Sequence, residues 1–286
     1  MRYRFPLRRL SVLALLLLAT ACQKEAVTPV QSSAPLPEHI TLGNPSGAAT
    51  DLNQPTNYLL AKSQYYVSYN RDQGKPNWVS WHLDTSWLGS AARQNNFAAD
   101  ATLPASWYQV TPGSYTNSGF DRGHNCPSAD RSATVADNSA TFLLSNMMPQ
   151  APNNNQQTWA KLEDYCRTLV GQGYECYIIC GSYGTGGTGD NGYATTFDQG
   201  RVTVPAHCWK VVVVLPVGSN DATRVTTSTR VIAIDTPNNN SVTSSWGTYR
   251  TSVDAIEAAT GLDLLSAVPS TVQQTIEART DTGPTS

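Results

Sequence analysis

Positive charge is scarce in this sequence. The 286 residues include 19 Lys and Arg against 21 Asp and Glu. Four of the arginines fall within residues 1–21, so the rest of the chain carries 15 cationic side chains and a net charge of −6 with His neutral. This balance argues against a broad basic surface for nucleic acid, and an anionic ligand would have to be held by a few local cations.

The sequence also lacks a long hydrophobic run. Leu10–Leu18 is too short to span a bilayer as a stable helix. It follows four arginines and precedes Ala19, Thr20, Ala21 and Cys22, which is typical of an export signal. We expect an exported protein. Lipidation of Cys22 would make it a cell-envelope lipoprotein held to a membrane, whereas ordinary cleavage after Ala21 would leave it extracellular or periplasmic.

No internal repeat and no second compositional regime divides the rest of the chain. We therefore expect a signal peptide at 1–21, a Pro-, Ser- and Gln-rich tether at 22–40, one large domain at 41–270 and a C-terminal tail at 271–286.

Cysteine is present in an odd number beyond Cys22, so at least one of Cys126, Cys166, Cys176, Cys180 and Cys208 stays free or pairs elsewhere. Cys176 and Cys180 would lie about 13 Å apart on one face of a straight strand, too far for a disulfide. No CxxC pair occurs, which disfavours a zinc site built from these cysteines with His207.

The pattern of apolar residues predicts an α+β fold with a central, largely antiparallel sheet flanked by helices. A hairpin is expected from Tyr65–Tyr69 and Trp78–Leu83, and a helix over Thr158–Val170 behind a polar loop at 153–155. Ser252 is expected to cap a second helix, Val253–Thr260. The other predicted strands are Tyr174–Gly181, Val202–Val204, Trp209–Pro216 and Val231–Ile234, with Val211–Leu215 covered on both sides.

Histidine is rare, with four in the chain, and one of them stands in GFDRGHNCPSADR at 119–131. In an extended segment Arg122 and His124 would point to the same side, and Gly123 allows close backbone approach. Imidazole suits a general base, and guanidinium suits phosphate contact. The alternative is a structural His, so this motif alone only suggests acid–base chemistry on an anion.

A second cluster, Asn155, Glu163 and Arg167, has spacings of eight and four. On a regular helix one side could present all three. An Asn carbonyl oxygen with a nearby carboxylate suits Mg²⁺. The alternative is an ordinary solvated i,i+4 ion pair between Glu163 and Arg167.

Together GFDRGHNCPSADR, TFLLSNMMPQAPNNNQQTWAKLEDYCRTLV (141–170) and VTVPAHCWKVVVVLP (202–216) resemble the DNA/RNA non-specific endonucleases, closest to the cyanobacterial sugar-non-specific branch. The resemblance runs from about Leu42 to about Leu265. It implies a ββα-metal finger with DRGH as its signature.

Carried over by position, the resemblance makes His124 the general base and Asn155 the direct ligand of Mg²⁺, with Mn²⁺ as an alternative ion. Glu163 would hydrogen-bond the water around that ion. The arginines that face phosphate would be Arg93, Arg122 and Arg167, with Asp121 and Asn146 in support.

The resemblance implies hydrolysis of DNA and RNA at backbone phosphates to give 5′-phosphate ends. A dedicated protein inhibitor is a further candidate partner, since some family members have one. Three rival readings remain: a binding lipoprotein that has lost catalysis, a phosphodiesterase for small substrates, and a delivered toxin.

Overall fold

The computed structural model describes Met1 and residues 37–286. The expected signal peptide, Cys22 and nearly all of the expected tether therefore lie outside the described residues. Within the described part, no helix is both long enough and apolar enough to cross a membrane.

Thirteen strands are described. In chain order they are β1 (Tyr58–Ala61), β2 (Tyr66–Asn70), β3 (Lys75–Leu83), β4 (Asp121–His124), β5 (Met147–Gln150), β6 (Tyr174–Tyr183), β7 (Gly187–Gly189), β8 (Gly192–Ala194), β9 (Thr196–Phe197), β10 (Val202–Thr203), β11 (His207–Pro216), β12 (Arg230–Pro237) and β13 (Arg250–Thr251). The α-helices are α1 (Val135–Ala140), α2 (Ala160–Gly171), α3 (Asp221–Arg224), α4 (Val253–Thr260) and α5 (Ser270–Ile276).

A seven-stranded sheet forms the centre, in the order β1-β2-β3-β6-β11-β12-β13, with every pairing antiparallel. This confirms the predicted α+β fold. The hairpin of β2 and β3 matches its prediction, with a register shift between Ser68 and Tyr69.

Strand β11 shows how the sheet separates two cores. Val212 and Val214 belong to the core that contains α2, whereas Val211, Val213 and Leu215 belong to the core that contains α4 and α5. Alternate residues of a strand point to opposite faces, so a continuous run of valines fills both cores. The expectation for Val211–Leu215 is confirmed.

The predicted polar loop at 153–155 is wrong. A π-helix, Asn154–Trp159, runs directly into α2, so the amide cluster is helical and carries i→i+5 hydrogen bonds. The angles expected between Asn155 and the later residues assumed regular α-helix, and the wider turns of the π segment change them. The apolar stripe of α2 from Leu162 to Val170 is buried as predicted.

All five described cysteines are buried free thiols. His207 lies beside Asp235, with Nδ1 and Oδ1 3.0 Å apart, and no group of potential zinc ligands that includes a cysteine occurs among the described residues.

The C-terminal segment packs onto the domain. Residues 270–276 form α5, and the buried Asp281 accepts hydrogen bonds from Arg230, with Nε 2.9 Å from Oδ1.

Candidate active site

The site is built on a ββα unit. Strands β4 and β5 pair antiparallel with Gly123 opposite Met148, and the π segment and α2 follow β5. Gly123 is required by close packing, because a Cβ there would lie 2.7 Å from Cβ of the fully buried Gln150. Asn238 fastens the unit to the main sheet, since its Oδ1 accepts from the Ala151 N–H and its Nδ2 donates to the Pro149 carbonyl.

His124 ends β4 and is only 8% exposed. Its ring meets Phe97 and Phe142 edge-on, with ring centroids 5.6 and 5.0 Å away. Its Nε2 is buried and has no hydrogen-bond partner within the described structure. Burial, followed by the charges of Arg93 and Arg122, lowers the pKa of His124 to about 3. The imidazole is therefore neutral at ordinary pH and carries an unengaged nitrogen.

Two arginines lie against the phenylalanine rings that contact His124. The Arg122 guanidinium lies 4.0 Å from the Phe97 ring centroid, and that of Arg93 lies 4.9 Å from the Phe142 centroid. Arg122 and His124 both contact Phe97, which agrees with their predicted placement on one side of the strand. Within residues 37–286 neither arginine forms an ion pair, so both charges are available to an anion.

Asn155 lies in the π segment, where Asp121 orients its amide. The Asn155 Nδ2 donates to Asp121 Oδ2 at 2.8 Å, and Gln156 donates to the same oxygen at 2.8 Å. Since its nitrogen is engaged, Asn155 presents its carbonyl oxygen, which accepts no hydrogen bond from the described residues. This arrangement fits a hard cation such as Mg²⁺, which binds amide oxygen and retains several waters.

Glu163 lies on α2 with its side chain 13% exposed, and its partner is Lys210 of β11, with Nζ 3.2 Å from Oε1. Burial and the nearby Asp130 raise the pKa of Glu163, whereas Lys210 and Arg167 oppose that rise. Lys210 is itself buried, and its ammonium lies 4.2 Å from the Trp159 ring centroid. The i,i+4 pair between Glu163 and Arg167 is therefore absent.

Arg167 instead pairs with Asp130 at 2.6 Å and with Asp164 at 2.5 Å. Asp130 is fully buried and also accepts from Trp81 Nε1 at 3.0 Å. The charge of Arg167 is thus compensated by carboxylates, unlike the charges of Arg93 and Arg122.

Asn146 supports the loop after β4. Its Oδ1 accepts from the Cys126 N–H at 3.0 Å, and its Nδ2 donates to the carbonyls of Cys126 and Thr141. The buried Asn146 and the partly exposed Asp121 therefore each hold neighbouring groups through hydrogen bonds.

Sequence reasoning missed Lys210 and Asp130. Lys210 stands in an apolar run, HCWKVVVVLP, where a lone cation is a signal of a buried partner. Asp130 lies within the segment GFDRGHNCPSADR, but its neighbours in the sequence do not indicate that it pairs with Arg167.

The chain is similar to known proteins in sequence and in fold. Residues 44–271 match the model of the DNA/RNA non-specific endonuclease family. A nuclease of Nostoc sp. is 47% identical over 96% of this chain and 98% of its own length. A nuclease of Syncephalastrum racemosum is 30% identical over 78% of this chain and 69% of its own. A chain in a crystal structure of the EndoG/EndoGI complex superposes with a TM-score of 0.67 and 22% identity, covering 87% of this chain and 98% of that one, which shows a common fold.

Proposed function

The chain belongs to the DNA/RNA non-specific endonuclease family, whose members are hydrolases of nucleic acids, and on this basis we propose that it cuts internal phosphodiester bonds of both DNA and RNA at the ββα site. The observation that carries the proposal is His124, a neutral imidazole between two arginines that form no ion pair within residues 37–286.

His124 accepts a proton from the water that attacks phosphorus, and since its Nε2 is buried from solvent, Nδ1 is the accepting nitrogen. Arg93 and Arg122 bind the scissile phosphate and stabilise its additional negative charge in the transition state. Burial and the charges of Arg93 and Arg122 lower the pKa of His124, and the same phosphate offsets those two charges. Substrate binding therefore raises that pKa towards the range in which a general base is effective.

A divalent cation fits the carbonyl oxygen of Asn155, and Mg²⁺ is the proposed ion, with Mn²⁺ as an alternative. When bound, it supplies Lewis-acid stabilisation of charge on the phosphate and on the departing 3′ oxygen. Glu163 orients the surrounding water by accepting hydrogen bonds, and Arg167 holds Asp130 beside it. Because water is the nucleophile, no ribose 2′-hydroxyl is needed. The P–O3′ bond breaks, so the products carry 5′-phosphate and 3′-hydroxyl ends.

Cleavage assays with supercoiled plasmid and with a folded RNA test the proposal. We expect both substrates to be cut with Mg²⁺ and neither with EDTA. His124→Ala should lower turnover by about 10²- to 10⁴-fold, the range of a removed general base, without unfolding the protein.

If a folded His124→Ala variant cleaves at the wild-type rate, His124 is not the general base. Cleavage of a small phosphodiester but not of plasmid would favour the small-substrate reading. Absence of cleavage by folded, metal-loaded protein would favour the binding reading.

We also propose export, on the sequence alone. The arginine-rich start, the short apolar run and the small residues before Cys22 support a signal peptide, with lipidation of Cys22 as the membrane contact. Mass spectrometry of the mature N-terminus tests this, because an acylated Cys22 and an unmodified product of cleavage after Ala21 have different masses. A protein inhibitor is a further proposal, supported by the fold shared with a chain of the EndoG/EndoGI complex.

A further inference from the structure

Three carboxylates meet where α4 and α5 approach each other, on the face of the sheet opposite α2. Asp254 and Glu257 are three residues apart on α4 and share one face, and Glu277 directly follows α5. Ligand oxygens of the three lie within 4.8 Å of one another. The backbone holds this arrangement, since the Asp254 N–H donates to the Glu277 carbonyl at 3.1 Å.

Glu277 has an orphaned oxygen. The residue is 6% exposed, and its Oε1 is buried without a hydrogen-bond partner in residues 37–286. A buried carboxylate oxygen that has lost its water and gained no donor is costly. This observation is independent of the clustering and indicates a missing positive partner at that oxygen.

The surroundings do not supply that partner. Across the described residues, no Lys, Arg or His forms an ion pair with Asp254, Glu257 or Glu277, or with the adjacent Asp263. The three carboxylates therefore lie together without a counter-charge in the described part of the chain.

We propose that Asp254, Glu257 and Glu277 form a second cation site, distinct from the ββα site, and that its ligand is Ca²⁺. The ligand set favours Ca²⁺. Three carboxylates that lie within 4.8 Å of one another suit Ca²⁺, which takes about six to eight oxygen ligands in flexible geometry, whereas Mg²⁺ is usually held by one or two carboxylates and keeps several waters.

The cation site holds the C-terminal helix α5 against α4. Val253 and Ile256 of α4 and Ile276 of α5 are buried in the same core. A cation shared between the two helices would join α5 to α4 at the point where their carboxylates repel each other. Its effect is on the stability of this face and does not depend on cleavage at His124.

Thermal unfolding with Ca²⁺ and with EDTA tests the proposal. The variants are Glu277→Gln, Asp254→Asn and Asn155→Ala, with Asp51→Asn as a control for loss of one carboxylate elsewhere. Ca²⁺ at about 100-fold its Kd should raise the Tm of the wild type by about 5–10 °C. Asn155→Ala and Asp51→Asn should keep this rise, and Glu277→Gln and Asp254→Asn should lose it.

A second arm separates cation binding from misfolding. In EDTA, Glu277→Gln should melt at or above the wild-type temperature, because it removes one repelling charge. With Asn155→Ala as the background, so that the ββα site does not contribute, a Ca²⁺ shift that survives Glu277→Gln would overturn the proposal, as would an equal shift with Mg²⁺. A Ca²⁺ shift that Asn155→Ala abolishes would overturn it as well. No Ca²⁺ shift in any variant would also overturn it and would leave Glu277 as a buried protonated acid.

Discussion

His124 is held neutral by its surroundings. The two phenylalanine rings exclude water from it, and Arg93 and Arg122 oppose a further positive charge nearby. A pKa lowered from 6.5 to about 3 means that the folded protein resists protonation while the unfolded chain accepts it. Stability linked to this group is therefore present above pH 6.5 and is lost as the pH falls from there towards 3.

Imidazole NMR measures this directly in the substrate-free protein. We expect the His124 resonance to stay in its neutral position down to about pH 4, with His124→Ala used to assign it. A midpoint near 6.5 would show that neither burial nor the arginines act on this ring.

Lys210 is the residue on which Glu163 depends for its charge. Lys210→Met would leave Glu163 beside Asp130 without its cation, and breaking one side of a buried pair costs about 3–5 kcal/mol. We expect lower stability and a higher Mg²⁺ concentration for half-maximal activity, with Lys210→Arg largely restoring both. Urea unfolding and Mg²⁺ titration of the rate are the measurements.

Lys75 is the matched control for Lys210. It is equally buried, but no carboxylate pairs with it in the described residues, and burial lowers its pKa to about 8. Lys75→Met should therefore leave the Mg²⁺ requirement unchanged. Equal effects of the two substitutions on that requirement would mean that Lys210 acts only through packing.

At the scale of elements, the close pairing of β4 with β5 depends on one glycine. Gly123→Ala would press a methyl group onto Gln150 Cβ at 2.7 Å and onto the Met148 carbonyl at 3.1 Å, so the strands would have to move apart. Such overpacking costs about 1–3 kcal/mol and would displace Arg122 and His124 on either side. We expect activity to fall by a larger factor than this loss of stability accounts for.

Gly171→Ala is the control for that substitution. It adds a methyl group where no atom lies within 4 Å, at the end of α2, and it should be neutral or stabilise by up to about 1 kcal/mol. Denaturant unfolding and initial rates of both variants provide the comparison. Wild-type activity in Gly123→Ala would show that the site tolerates a separation of β4 from β5.

At the scale of the whole molecule, the shortage of positive charge limits how nucleic acid is held. With Arg167 neutralised by two carboxylates, Arg93 and Arg122 are the site cations left to bind phosphate. The logarithm of affinity should then fall with the logarithm of salt concentration with a slope of about −2, since each phosphate neutralised contributes about −0.9.

The inactive His124→Ala variant allows this slope to be measured with uncut duplex DNA over a range of KCl. A slope near zero would contradict phosphate binding at the site. A slope near −6 would reveal a broad basic surface that a net charge of −6 argues against. Arg122→Ala should reduce the magnitude of the slope by about 1.

Local patterns alone determined much of this molecule. The valines of β11 and the apolar stripe of α2 repeat at the periods of a buried strand and a buried helix face, and Ser252 caps α4 as its position predicts. His124 and Asn155 stand in short segments that resemble the endonuclease family, and their roles stay predictions.

Packing between distant segments decided the rest. Lys210 meets Glu163 across 47 positions, and Arg167 pairs with Asp130 across 37 positions and not with Glu163 on its own helix. The π segment at Asn154–Trp159 and the meeting of Glu277 with Asp254 depend likewise on how strands and helices dock. Residue spacing indicates which side chains share a face of a helix or strand. The partner of a buried charge depends instead on which elements the tertiary fold brings within a few ångströms of that charge and shields from water.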